Sequence, residues 1–171
     1  MNTRNKPPKT SFFAVILLLV IAALFLASAA NAAEISGVVV KVHDGDTVNI
    51  QDDGGTIYKV RLAEIDAPEL AQPFGKESRD SLADMLKFKT VKLDYDSRDQ
   101  YGRVIGRITL DGVDVNTAAV RKGLAWFYPA YGKDQAIKQV EEIARALEAG
   151  LWADPNPVPP WEYRKNKKRG K

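Results

Sequence analysis

The chain contains no cysteine. No disulfide can brace its fold, and no thiolate can act as a nucleophile or a soft-metal ligand. There is one histidine, His43, which excludes a multi-histidine zinc or iron centre. It sits at a strand end beside a turn and reads as a structural residue. Long apolar runs are also scarce. The one that stands out is the 15 residues from Phe12 to Leu26, shorter than the ~20 residues a membrane-spanning helix needs. The folded part has no surplus of positive charge either. The formal net charge of +3 is accounted for by Arg4, Lys6 and Lys9 at the N-terminus. Residues 33 to 154 carry a net −5, and residues 155 to 171, with six basic side chains and one acidic, carry +5. A generic polycation is thereby excluded. Any binding of nucleic acid by the folded part must come from individually placed arginines.

The N-terminal basic residues, the apolar run and the Ala30-Asn31-Ala32 pattern together predict a secretory signal peptide over residues 1–32. The expected location is outside the cell or in the periplasm. With Ala27 to Ala33 added, the run approaches spanning length, and an uncleaved segment would anchor the protein to the membrane, facing outside. The remainder suits a single domain over residues 33–153. Four prolines between 155 and 160 and a lysine-rich end predict a disordered tail over 154–171, whose basic cluster from Arg164 to Lys171 would at most attract phosphates non-specifically.

Within the domain, period-2 alternation marks half-buried strands. Val38, Val40 and Val42 share one parity, as do Val48 and Ile50, and then Tyr58, Val60 and Leu62, with Lys59 and Arg61 on the opposite face. Asp44-Gly45 and Asp52-Asp53-Gly54-Gly55 are hairpin turns between them. A helix is expected from about Lys76 to Leu86, a fourth strand over 90–96 and a fifth over 104–110. Val115 to Lys122 reads as a short helix. Asp134 can cap a longer one that buries Ile137, Val140, Ile143, Ala144, Leu147 and Leu151 against the sheet. The fold class is α+β: a five-stranded OB-fold β-barrel with three helices.

Chemistry is concentrated in three stretches: Asp44-Gly45-Asp46-Thr47, then Arg61 with Asp66-Ala67-Pro68-Glu69, and Tyr101-Gly102-Arg103. If the second strand's start and the third strand's end are adjacent, Asp46 and Asp66 face one point. An oxygen-only set with no histidine or cysteine suits Ca²⁺ or Mg²⁺. Arg61 and Arg103 are suited to a phosphate, because guanidinium groups hold phosphate oxygens in a fork. Glu69, on a link stiffened by Pro68, is placed to orient a water or take its proton. Tyr101 is a candidate to stack on a base or touch a phosphate, and Tyr131 is the member of the Trp126–Tyr131 aromatic run expected to face substrate. Each piece alone reads as an ordinary turn or a solvated side chain; their order and spacing carry the weight.

In those blocks the chain resembles the staphylococcal-type thermonucleases. The matching residues are Asp44-Gly45-Asp46-Thr47-Val48, Val60-Arg61-Leu62, Ile65-Asp66-Ala67-Pro68-Glu69 and Asp99-Gln100-Tyr101-Gly102-Arg103. Val115-Asn116, Arg121-Lys122-Gly123-Leu124-Ala125 and Gly150-Leu151-Trp152 follow the same pattern. The resemblance implies Ca²⁺-dependent hydrolysis of DNA and RNA with low sequence specificity, leaving 3′-phosphates. It implies that Asp46, Asp66 and the backbone carbonyl of Ala67 ligate calcium, with Asp44 behind them. Arg61 and Arg103 would bind the scissile phosphate, Glu69 would be the general base, and Tyr101 and Tyr131 would contact substrate. No stable protein partner is expected, and the chain would act as a monomer. The chain departs from the family pattern at Ala67 (threonine in the best-studied type), at Gln100 (a lysine there), and in a shorter loop from Leu70 to Gly75. The alternative is an OB-fold module that has lost catalysis and binds nucleic acid or a protein.

Overall fold

The structure, a computed structural model, describes residues 33–170; the expected signal segment lies outside the described residues. Strands β1 (Ala33–Val42), β2 (Thr47–Asp52) and β3 (Ile57–Leu62) form an antiparallel meander. A two-residue strand β4 (Ile65–Asp66) is followed by helix α1 (Gly75–Leu86). Strands β5 (Thr90–Arg98) and β6 (Val104–Leu110) come next, then β7 (Val113–Asp114), α2 (Val115–Arg121), β8 (Trp126–Phe127) and α3 (Gln135–Ala146). A 3₁₀ turn at Gly150–Ala153 and helix α4 (Pro160–Arg169) complete the chain.

The sheet order is β3-β2-β1-β5-β6, and a parallel pairing of β3 with β6 closes it into a five-stranded barrel. Closure removes the open edges that a sheet of this size would otherwise expose. The barrel is filled by Val39, Val48, Ile50, Val60, Leu62, Val91, Leu93, Val104 and Ile108, all essentially inaccessible. Leu82 and Leu86 of α1 and Val115 and Val120 of α2 belong to the same core.

The barrel follows the sequence pattern except in β1. There Val39 is buried and Val38 is half-exposed, the reverse of the expected parity. A β-bulge between Val39 and Lys41 resets the register, so that Val39 pairs with Ile50 and Val42 with Val48. One inserted residue flips the face of everything beyond it, and a run of three valines at alternate positions conceals the slip.

Two further expectations are corrected. Ile143 and Leu147, expected on the buried side of the long helix, are exposed. α3 packs on α2 and β8 rather than across the sheet, and the interior position is taken by Glu141, whose carboxylate accepts the Phe127 N–H. There are also four helices among the described residues rather than three, because the expected tail contains α4. Pro160 takes the first helical position, where its missing N–H and fixed φ cost nothing. Trp161 then packs edge-on against Trp126 and stacks on Tyr128, with ring centroids 5.7 and 5.3 Å apart. Trp126, Ala144, Leu151 and Trp152 form the second apolar cluster on which this end of the chain rests.

Asn116, fully buried, ties the helical layer to the barrel. Its side-chain NH₂ donates to the carbonyls of Ala63 and Gly106, and its oxygen accepts the Ile108 N–H. Asn116→Ala would leave the Ile108 donor and the Ala63 acceptor unpaired in the interior. The expected loss is about 2 kcal/mol of stability, read as a lower denaturant midpoint. An unchanged midpoint would contradict this role.

Candidate active site

Register brings the three chemical stretches together. Thr47 of β2 pairs with Arg61 of β3, so Asp46 lies next to Leu62, whose N–H it accepts at its own carbonyl. The parallel pairing sets Val60 against Val104 and Arg61 against Ile105, so Arg103 enters β6 on the strand beside the one that carries Arg61. A left-handed residue, Glu64 (φ 64°), turns the chain after β3 and sends Asp66 into its pairing with Trp126 of β8. These elements surround a cleft of about 800 Å³. Asp44, Asp46, Arg61, Asp66, Ala67, Glu69 and Arg103 line it, and Tyr101, Tyr128 and Tyr131 border it. Every residue expected at the site is thus in or around one cleft.

Two glycines make this packing possible. A Cβ at Gly45 would lie 1.9 Å from the Ser78 hydroxyl and 2.7 Å from the Ala67 Cβ, so the Asp44–Asp46 turn can press against α1 and the Ala67 loop only without a side chain. A Cβ at Gly75 would lie 2.0 Å from the Glu69 carbonyl. The loop carrying Glu69 can therefore fold back over the start of α1. Gln72 fixes that loop: its side-chain oxygen accepts the Glu69 N–H, its own N–H donates to the Glu69 carbonyl, and its NH₂ reaches the Val158 carbonyl.

Asp46 and Asp66 are almost wholly buried and share one guanidinium. Arg61 Nε is 3.2 Å from Asp46 Oδ1, and Nη2 donates to Asp66 Oδ1 at 2.8 Å. Arg61 Nη1 donates to the carbonyls of Leu62 and Ile65 at 2.7 and 2.8 Å. Three of its five N–H groups are hydrogen-bonded and a fourth faces Asp46. Arg61 is therefore first a clamp on the two carboxylates and has little capacity left for a phosphate. Asp46 also accepts the Thr47 hydroxyl and, through Oδ2, the Ala67 N–H.

Arg103 is arranged differently. Its Nε donates to Asp99 Oδ2 at 2.7 Å, while Asp99 Oδ1 accepts the N–H groups of Tyr101 and Arg103. Burial opposes the charge on Asp99, but the bonds from Arg103 and these N–H groups prevail and hold its pKa below the usual carboxylate value. Among the described residues, Arg103 Nη1 and Nη2 make no hydrogen bond. Its fork is oriented at one nitrogen and free at two. Asp99, which carries no predicted role, orients the Arg103 guanidinium; a carboxylate four residues before an arginine across a glycine turn is the local signal for such a pair.

Glu69 is half-exposed, and its carboxylate is held by an unexpected partner. Arg164 of α4 donates through Nη1 to Glu69 Oε1 at 2.9 Å and through Nη2 to Asp66 Oδ2 at 2.8 Å. Burial works against the Arg164 charge, but its bonds to Asp66 and Glu69 outweigh this and raise its pKa. Burial pushes the Asp66 pKa up, and the two arginines oppose it. Nothing in the prolines and lysines around Arg164 marks it as a site residue; only the folding of α4 brings it in.

Among the described residues, no group of three His, Cys, Asp or Glu side chains is gathered closely enough to hold a metal unaided. The donor chemistry nonetheless fits a hard cation that completes its shell with backbone, water and substrate oxygens. Asp46 and Asp66 are buried and face the same guanidinium, and Asp44 stands directly behind, accepting the Asp46 N–H. Burial, with the Asp46 carboxylate beside it, pushes Asp44 up to about 6. This corner holds more negative charge than its arginines neutralise.

The match to known proteins covers much of this site, including Arg61, Asp66, Ala67, Glu69 and Arg103. Residues 59–154 match the family described as staphylococcal nuclease homologues. The chain belongs to the staphylococcal nuclease family. It is 42% identical over 136 residues to an uncharacterised endonuclease of Escherichia coli, covering 79% of this chain and 88% of that protein. It is 35% identical over 169 residues to a micrococcal nuclease of Shigella flexneri, covering 92% of this chain and 97% of the relative. A staphylococcal-like nuclease of Arabidopsis thaliana is 43% identical over 113 residues, which cover 66% of this chain and 35% of that protein. The barrel with its appended helices is the OB-type fold that this membership entails.

The raised Asp44 gives the family site a measurable pH dependence. Folded protein holds the Asp44 proton more tightly than unfolded protein, so stability falls as pH rises from the ordinary carboxylate range through about 6. Asp44→Asn keeps an oxygen for the Asp46 N–H and removes the charge. In chelator at pH 7.5 the variant should be more stable than wild type by roughly 1 kcal/mol, and the two should converge near pH 4. Thermal melts across pH read this directly. A variant less stable at pH 7.5 would contradict it.

Proposed function

We propose that this protein is a Ca²⁺-dependent nuclease that hydrolyses phosphodiester bonds of DNA and RNA with little sequence preference, leaving 3′-phosphates and 5′-hydroxyls. The observation that carries the reading is the division of labour between the two expected arginines. Arg61 organises the carboxylates, and Arg103 holds two unbonded nitrogens at the same cleft. Its membership of the family, and the nuclease names its relatives carry, point the same way.

Asp46, Asp66 and the Ala67 carbonyl would hold the cation, with Asp44 adding charge behind them. Bound there, Ca²⁺ would neutralise a phosphate oxygen and make a neighbouring water more acidic. The chain's own groups supply the rest. Arg103 binds the scissile phosphate through its free fork and meets the charge that grows on the phosphoryl oxygens. Glu69 takes a proton from the attacking water as the water oxygen bonds to phosphorus. The P–O5′ bond breaks, and the departing oxygen is protonated to the 5′-hydroxyl. Tyr101 and Tyr131, each nearly three-quarters exposed at the rim, offer faces on which bases can stack. Residues 1–32 support export to the periplasm or the exterior.

Purified protein should degrade DNA and RNA with Ca²⁺ and stop when the cation is chelated; undiminished cleavage in chelator would overturn the cation assignment. Arg103→Ala should lower kcat by about 10²–10³ with little change in Tm, because among the described residues its side chain bonds only Asp99 and lies over the exposed Tyr101 ring. Arg61→Ala should lower both kcat and Tm, because Asp46 and Asp66 lose their shared counter-charge. Equal, purely catalytic effects of the two substitutions would contradict the division of roles.

A further inference from the structure

Helix α4 lies beyond residues 59–154, which match the family description, and its Arg164 and Lys168 line the cleft. It is held there from several sides. Pro160 is buried, Trp161 packs between Trp126 and Tyr128, and Gln72 of the Glu69 loop bonds the Val158 carbonyl just before the helix. Arg164 and Lys168 are four residues apart and so project from one face; both line the cleft.

The two side chains differ in what they do there. Arg164 bridges Asp66 and Glu69, and among the described residues no other side chain donates to the Glu69 carboxylate. A planar fork suits two carboxylates at once. Lys168 is exposed and, among the described residues, has no carboxylate within ion-pair distance. An ammonium so placed is a point charge with three unused donors at the cleft wall.

We propose that α4 is a wall of the active site, in which Arg164 positions the Glu69 carboxylate beside Asp66 and Lys168 binds a backbone phosphate of the nucleic-acid substrate. The assignment rests on the nuclease reading above. It gives the C-terminal basic cluster two placed contacts where the sequence suggested only diffuse attraction.

The test uses the full chain and a short single-stranded DNA. Binding in chelator is measured from low to moderate salt for wild type, Lys168→Gln and Lys165→Gln. The last removes the same charge from an exposed position outside the cleft. Lys168→Gln should bind several-fold more weakly at low salt, with a log Kd against log salt slope shallower by about 0.7, while Lys165→Gln keeps the wild-type slope. Cleavage kinetics are then measured for Arg164→Gln and Arg164→Lys. The glutamine variant should lose about tenfold or more in kcat with a much smaller change in KM. The lysine variant, which keeps the charge but not the fork, should recover part of that loss and stay below wild type. Near-UV circular dichroism from Trp161 and Tyr128 checks that α4 stays docked. Identical slopes for the two lysine variants, or a wild-type kcat in Arg164→Gln, would overturn the proposal while wild-type cleavage leaves the nuclease reading standing. A wild type that neither binds nor cuts would overturn both.

Discussion

The Arg61 guanidinium lies between two buried carboxylates, and the surrounding structure is arranged so that it can. Asp46 and Asp66 flank the open end of the β2–β3 hairpin, one before β2 and one after β3, and neither could be buried charged beside the other without a cation between them. Arg61 supplies that cation at 3.2 and 2.8 Å and spends its remaining nitrogen on the turn carbonyls of Leu62 and Ile65. The closing β3–β6 pairing aligns Arg103 next to it. In the proposed mechanism, a site that presents carboxylates to a cation and a guanidinium to a phosphate would use these two arginines in two ways. One is sequestered to assemble the carboxylates, and one is kept free.

The uneven charge along the chain is partly offset in the fold. The domain is acidic and its C-terminal end is basic. Folding α4 back onto the cleft places Arg164 between Asp66 and Glu69, where the acidic surplus is concentrated. The aromatic contacts of Trp161 make this more than an electrostatic association, since they bury apolar area and remain when salt screens surface charges. A cation that takes Asp66 enters an existing balance of charges in which Arg61 and Arg164 already hold both carboxylate oxygens.

Most of the barrel and most of the site were legible in the residue order. Alternating valines, leucines and isoleucines flanked by Asp-Gly turns identify β2, β3, β5 and β6, because strand periodicity and turn chemistry are local properties. The site residues were legible because their spacing repeats a family pattern. What escaped was non-local. The bulge in β1 depends on which partner residues accept the ladder, and three alternating valines satisfy either register. The end of α3 departs from its apolar pattern because Glu141 is needed to meet the Phe127 N–H. The helix after four prolines escaped because Pro160 reads as a breaker until it is seen to start a helix, and because Trp161 has value only beside Trp126 and Tyr128. The roles of Arg61 and Arg103 are indistinguishable by residue type. Only the hydrogen-bond partners separate them.

The central proposal is that one buried carboxylate pair, organised by Arg61, makes a single cation site serving a phosphate-binding cleft. Calorimetric titration of Ca²⁺ into the metal-free protein, with Asp66→Asn alongside, tests this most directly. One binding event per chain in the wild type, absent from a folded Asp66→Asn variant, is the predicted result. No binding in the wild type, or the same binding in both proteins, would contradict it.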